Sequence, residues 1–123
     1  MGFVFWNTMD IQIKRIYEKA ANRDGTRILV DRVWPRGVSK EDAKLDEWMK
    51  DIAPSKELRK WFDHKEERFD GFSKKYKKEL KDHSDLVEQL LEKAKEKRLT
   101  LLYGAKDEKH NQAVVLKEYL EDQ

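Results

Sequence analysis

Ile11-Gln-Ile-Lys-Arg-Ile-Tyr17 alternates apolar and polar side chains, many of them β-branched, which is the period-2 pattern of a strand with one exposed face. Such a strand suits a sheet edge. Arg27-Ile-Leu-Val-Asp-Arg-Val33 is more continuously apolar, as a central strand covered on both faces is, and it stops at Pro35, which restricts Trp34 to an extended conformation. From Ser39 or Lys40 the period changes. Leu45, Trp48, Met49 and Ile52 fall at helical spacing before Pro54 breaks the pattern. Ser55 is placed to cap a second helix with Leu58, Trp61 and Phe62 on its apolar face. Phe69, Phe72, Tyr76 and Leu80 mark a third, and Leu86, Val87, Leu90, Leu91 and Ala94 a fourth, starting near Ser84. Leu99-Thr-Leu-Leu-Tyr103 is a third strand. Asp107 is expected to cap a last helix carrying Val115, Leu116, Tyr119 and Leu120.

A strand, several helices and another strand imply a crossover, and right-handed crossovers between parallel strands are the strong default. The expected fold is α/β, with a small, mainly parallel three- or four-stranded sheet flanked by about five helices. If the second and third strands are parallel, their carboxyl ends share one edge. Asp31 to Gly37 and Tyr103 to Asn111 then face one crevice, where open α/β sheets place ligands.

Composition narrows the function classes. With 123 residues, of which 38% are hydrophobic, one domain over residues 9–123 is expected, and residues 1–8 read as an extension in front of it. Charged residues reach 42%, yet 27 Lys and Arg nearly cancel 25 Asp and Glu. A net charge of +2 argues against a general polyanion binder. There is no cysteine, hence no disulfide framework, thiolate nucleophile or zinc–thiolate set. The opening Met-Gly-Phe-Val-Phe-Trp is too short for a membrane span and has no basic leader, so a cytoplasmic protein is expected.

The crevice residues carry the candidate chemistry, each beside a structural alternative. Asp31, near the end of a buried strand, must be paired or carry a raised pKa. It is either a general acid or base, or the partner of Arg32, Arg36 or Lys106. Arg32 and Arg36 suit an oxyanion, which guanidinium binds bidentately, and one of them could instead neutralise Asp31. Lys106 would add charge to the same anion site. Trp34 either stacks on a ligand ring or covers the core, and Tyr103 either offers its hydroxyl or packs. Gly37 permits a positive φ. His110, in the first turn of the last helix, is the second candidate acid or base, against a histidine tied to a loop carbonyl. Asn111 is a ligand amide or a loop tether. His64 and His83 have no metal spacing with His110 and read as surface or loop residues, so no metal or cofactor is expected. Five lysines between Lys74 and Lys81 form a positive helix face, either solvated or touching nucleic-acid phosphates.

Arg27 to Gly37, Leu45-Asp-Glu-Trp48, Ala53-Pro-Ser-Lys-Glu-Leu-Arg-Lys-Trp-Phe62 and Leu101-Leu-Tyr-Gly-Ala-Lys-Asp-Glu-Lys-His-Asn111 together resemble the DUF488 family, in its YeaO-like branch, over roughly Ile11 to Leu120. The resemblance implies a compact α/β domain of unknown function. The wider family often carries cysteines near the positions of Tyr103 and Asn111, followed by His and Arg; Gln112 and Ala113 stand in the latter places here. Thiol or metal chemistry of such relatives therefore does not transfer.

Two functions remain. One is a small hydrolase or transferase that binds a phosphate- or nucleotide-like anion through Arg32, Arg36 and Lys106 and works through Asp31 or His110. The other is a non-catalytic module for an anionic ligand or nucleic acid.

Overall fold

The computed structural model describes residues 9–123; the extension expected over residues 1–8 lies outside them. Four strands, β1 (Ile11–Arg15), β2 (Thr26–Leu29), β3 (Glu47–Trp48) and β4 (Leu99–Tyr103), form one all-parallel sheet in the order β1-β4-β2-β3. The helices are α1 (Lys40–Ala43), α2 (Lys56–Phe62), α3 (Phe69–Lys81), α4 (Ser84–Glu96) and α5 (Gln112–Glu121), with short 3-10 turns at Asn22–Asp24, Lys50–Ile52 and Glu66–Arg68. No helix among the described residues is long and apolar enough to cross a membrane.

The two faces of the sheet are covered unequally. Alternation sends Ile28, Leu99, Leu101 and Tyr103 into the main core, where they meet Phe72, Tyr76, Leu80, Leu90 and Leu116 of α3, α4 and α5. Leu29 and Leu102 face the other way. They join Ile16 and Ala43 in a small cluster closed by Trp34, Val38, Leu45 and Trp48.

That lopsided cover explains the one element read differently from sequence. The stretch expected as a helix through Ile52 instead holds one α-helical turn, α1, which Ser39 caps by accepting the Asp42 N–H, and then β3 and the 3-10 turn Lys50–Ile52. Lys44 then turns left-handed, at φ 45°. Asp46 is stitched to β2 in both directions: its N–H donates to the Arg27 carbonyl (2.9 Å) and its carboxylate accepts the Arg27 N–H (2.8 Å). The helical spacing was real but splits across the sheet. Leu45 and Trp48 pack on the thin face, whereas Met49 and Ile52 pack on the thick one.

A polar corner closes the amino ends of the strands. Gln12, Thr100 and Arg27 lie side by side across β1, β4 and β2. Beside them Asp24, only 1% exposed, meets Arg27 Nη1 at 2.6 Å and Lys14 Nζ at 3.0 Å. The chain enters this corner through Gly25 at φ +67°, where an added Cβ would stand 2.3 Å from the Arg98 carbonyl oxygen. Gly25→Ala is therefore expected to cost about 1–3 kcal/mol of stability, read as a lower urea midpoint; an unchanged midpoint would refute the strained-turn argument.

α2 behaves as expected at its start, where Ser55 Oγ accepts the Leu58 N–H at 3.1 Å. Its apolar face is narrower than the spacing implied. Leu58 and Phe62 are buried, but Trp61 is 40% exposed, seated on Gly71 with the cations of Arg68 and Lys75 at its ring. On α3, Lys74, Lys75, Lys78 and Lys81 are exposed, and Lys77 pairs with Glu118 of α5.

Candidate functional site

Parallel pairing of β2 with β4 does bring the segments after both strands to one edge. Val30 extends the ladder, donating its N–H to the Leu102 carbonyl at 3.0 Å, and Asp31 follows at the rim. Its carboxylate accepts the Gly104 N–H at 2.9 Å and the Gln112 side-chain amide, so it clamps the end of β2 to the loop after β4 and to the start of α5. No ion pair of Asp31 with Arg32, Arg36 or Lys106 exists among the described residues. Burial dominates its ionisation and pushes the carboxyl up to about 6, against the Gly104 and Gln112 hydrogen bonds and the nearby Arg59 charge.

Beside Asp31 a groove runs between the strand ends and α2. Its smaller lobe, about 160 Å³, is lined by Asp31, Arg32, Arg59, His64 and Gln112 among others. A larger lobe of about 380 Å³ continues past Pro54, Phe62, Phe72 and His110. Arg59, His64, Pro54, Ala105 and Gln112 border both, so the two lobes are one depression.

Arg32 is largely committed within the fold. Its Nε and Nη2 donate to the carbonyls of Pro54 and Ala53 at 3.2 and 3.0 Å, and Nη1 lies 3.9 Å from Asp51. Arg59, on the middle turn of α2, is different: its Nε is shut off from solvent and has no hydrogen-bond partner among the described residues. A buried polar group left unpaired costs about 1–3 kcal/mol, so such a group calls for a partner. Just beyond, Asp63 and His64 both sit in the left-handed region, at φ 49° and 54°, which ends α2 abruptly and sets His64 on the groove wall. Two consecutive non-glycine residues there are a local strain of the kind that clusters at functional sites.

His110 reaches the larger lobe, but from a loop and not from α5. The N-cap of α5 is Asn111, whose Oδ1 accepts the N–H groups of Ala113 (2.9 Å) and Val114 (3.1 Å) while its Nδ2 donates to the Asp107 carbonyl. Asp107, expected as that cap, lies four residues too early. It instead folds its own loop by accepting the N–H groups of Lys109 and His110. The Lys109 N–H, with the His110 ring and N–H, holds the exposed Asp107 carboxyl below its usual range. The His110 Nδ1 sits 2.9 Å from Asp107 and 3.4 Å from Glu66, and its ring meets Phe69 edge-on at 5.1 Å.

Of the residues singled out from sequence, Asp31, Arg32, His110 and the helix cap Asn111 thus border the groove, and the others do not. Trp34 lies on the thin face, its Nε1 donating to the Val38 carbonyl at 2.7 Å and its ring edge-on to Trp48. Tyr103 is 1% exposed in the main core, where burial pushes its phenol up. Gly37 adopts φ +75° in the turn after Pro35, next to Arg36, whose carbonyl accepts the Tyr17 hydroxyl. The side chains of Arg36 and Lys106 are exposed and line neither lobe. Arg59 and His64, with Lys56, Lys60 and Asp63, are among the groove residues that reading the sequence did not select.

A family model described as the inactive DUF488-N3 subclade matches residues 10–123. The uncharacterised protein YeaO of Escherichia coli (strain K12) is 48% identical over 112 residues, which is 91% of this chain and 97% of that protein. An uncharacterised protein of Mycobacterium tuberculosis (strain ATCC 25618 / H37Rv) is 49% identical over 78 residues, covering 63% of this chain and 66% of its own length. No solved structure matches the chain.

Proposed function

The chain belongs to the DUF488 family, in the subclade described as inactive, and from that membership we propose that its groove binds a small anionic ligand in the cytoplasm without transforming it. The observation that carries this reading is Arg59, which borders both lobes and whose Nε has no partner among the described residues. A guanidinium in that state offers a charge-assisted donor to an oxyanion, and the partly committed Arg32 adds positive charge from the strand side.

Lack of turnover is supported by how one of the two candidate proton carriers, Asp31, is used. Both carboxylate oxygens of Asp31 already receive an N–H donor. One observation favours the catalytic alternative: the Asp31 carboxyl, pushed up to about 6, would titrate in a range useful for proton transfer.

Calorimetric titration of inorganic phosphate and of nucleoside monophosphates into the full chain tests the proposal. Arg59→Gln is expected to weaken binding about tenfold or more, the loss of a charge-assisted hydrogen bond of about 1.5–3 kcal/mol, while leaving the fold intact by circular dichroism. Equal affinity in the variant and the natural chain would sink the anion site. Turnover abolished by Asp31→Asn would restore the enzyme. Duplex DNA binding that survives Arg59→Gln but is lost when Lys74, Lys75 and Lys78 become Glu would move the function to α3.

A further inference from the structure

The larger lobe is lined by four rings together with Lys56, Arg59, Lys60 and Asp63. Phe62 and Phe72 lie stacked with their centroids 4.4 Å apart and 22° between their planes, and both border it. His64 and His110 face it from two separate loops, the first held by the left-handed end of α2, the second by Asp107 and the edge of Phe69. Pro54 and Ala105 add further carbon surface. The smaller lobe, with less than half the volume, brings the charged groups of Asp31, Arg32 and Arg59 together beside Val33, Ala53 and Pro54. Small-molecule sites combine a mostly apolar wall with a few convergent polar groups that fix orientation, and flat rings accept flat guests.

Resting on the anion reading above, we infer that the ligand is an aromatic oxyanion: a planar ring lying in the larger lobe against Phe62 and Phe72, carrying a phosphate or carboxylate that reaches Arg59. Arg59 borders both lobes, so a head group at its guanidinium and a ring in the larger lobe belong to one short molecule. The shape of the groove selects for the ring, and the guanidinium selects for the charge.

Inorganic phosphate, cyclohexyl phosphate and phenyl phosphate, titrated into the full chain, separate the two halves of this inference. Phenyl phosphate is expected to bind about tenfold more tightly than inorganic phosphate, through burial of the ring, and more tightly than its cyclohexyl analogue. Its ring protons should show nuclear Overhauser contacts to Phe62 and Phe72. Arg59→Gln should weaken phosphate and phenyl phosphate by similar factors. Phosphate binding that depends on Arg59 with no gain from the ring, or an equal gain from cyclohexyl, overturns the aromatic guest and leaves the anion site standing. Phenyl phosphate binding indifferent to Arg59→Gln, or no binding of any of the three, overturns both. Ring contacts to Trp34 and Trp48 would instead place the guest on the thin face and refute the assignment.

Discussion

Asp24→Ala is expected to lower the unfolding free energy by about 3–5 kcal/mol, a large part of the stability of a small domain. The carboxylate is 1% exposed and its principal partner, Arg27, 5% exposed. Burial opposes its ionisation, but the Ala21 N–H, Lys14 and Arg27 together hold the carboxyl below its usual range. Removing it would leave the Arg27 guanidinium buried with only the Ala43 and Lys44 carbonyls to receive its donors. The damage should therefore exceed that of removing the pair. Arg27→Met in the Asp24→Ala background is expected to recover part of the loss, because a buried pair replaced by apolar side chains is often near neutral. Urea denaturation of the four proteins of this cycle measures it, and a single-mutant loss below about 1 kcal/mol would show that the corner is solvated. Because the folded-state pKa of Asp24 is depressed, its contribution is present at neutral pH and is lost as pH falls through that lowered value.

Asp31 should give the opposite pH dependence. Its carboxyl is raised from the ordinary value of 3.8 to about 6, so the folded chain holds this proton more tightly than the unfolded chain does. Its contribution to stability is full below about pH 4, falls as pH rises towards 6 and is level above that. The span is on the order of 2–3 kcal/mol. Asp31→Asn should remove this slope, because an amide accepts the Gly104 N–H through its oxygen and donates through its nitrogen to a reoriented Gln112. Relative to the natural chain, the variant is expected to gain stability from pH 4 to pH 7. Stability curves for the two chains that run parallel across that interval would mean Asp31 titrates at its ordinary value.

Much of the architecture could be read from local pattern because it depends on local rules. The long helical connection sufficed to expect β2 and β4 parallel, and hence to bring Asp31 and His110 to one edge. Alternation in Ile11–Arg15 identified a strand that does lie at the sheet edge. The failures come where two local rules compete or where only packing decides. Asp107 and Asn111 are both good caps, and Asn111 prevails at 1% exposure, directly before the first buried turn of α5. Arg59 carries no sequence signal, since an arginine flanked by Leu58 and Lys60 on a short helix reads as a solvated position. Only tertiary packing around α2 removes its Nε from water. His64 depends on two successive left-handed residues, and although Asp and His each favour that region, no single-residue preference marks two in a row.

The strand order has a temporal consequence. β1 and β2 are near neighbours in the chain, yet each forms its ladder with β4, which lies between them and begins only at Leu99. While the chain is being made, the first two strands therefore lack their main partner until the segment through Tyr103 has emerged from the ribosome. Their apolar faces must wait uncovered through the synthesis of α2, α3 and α4. This sheet therefore closes only once β4 is available, after the helices that cover it have been synthesised.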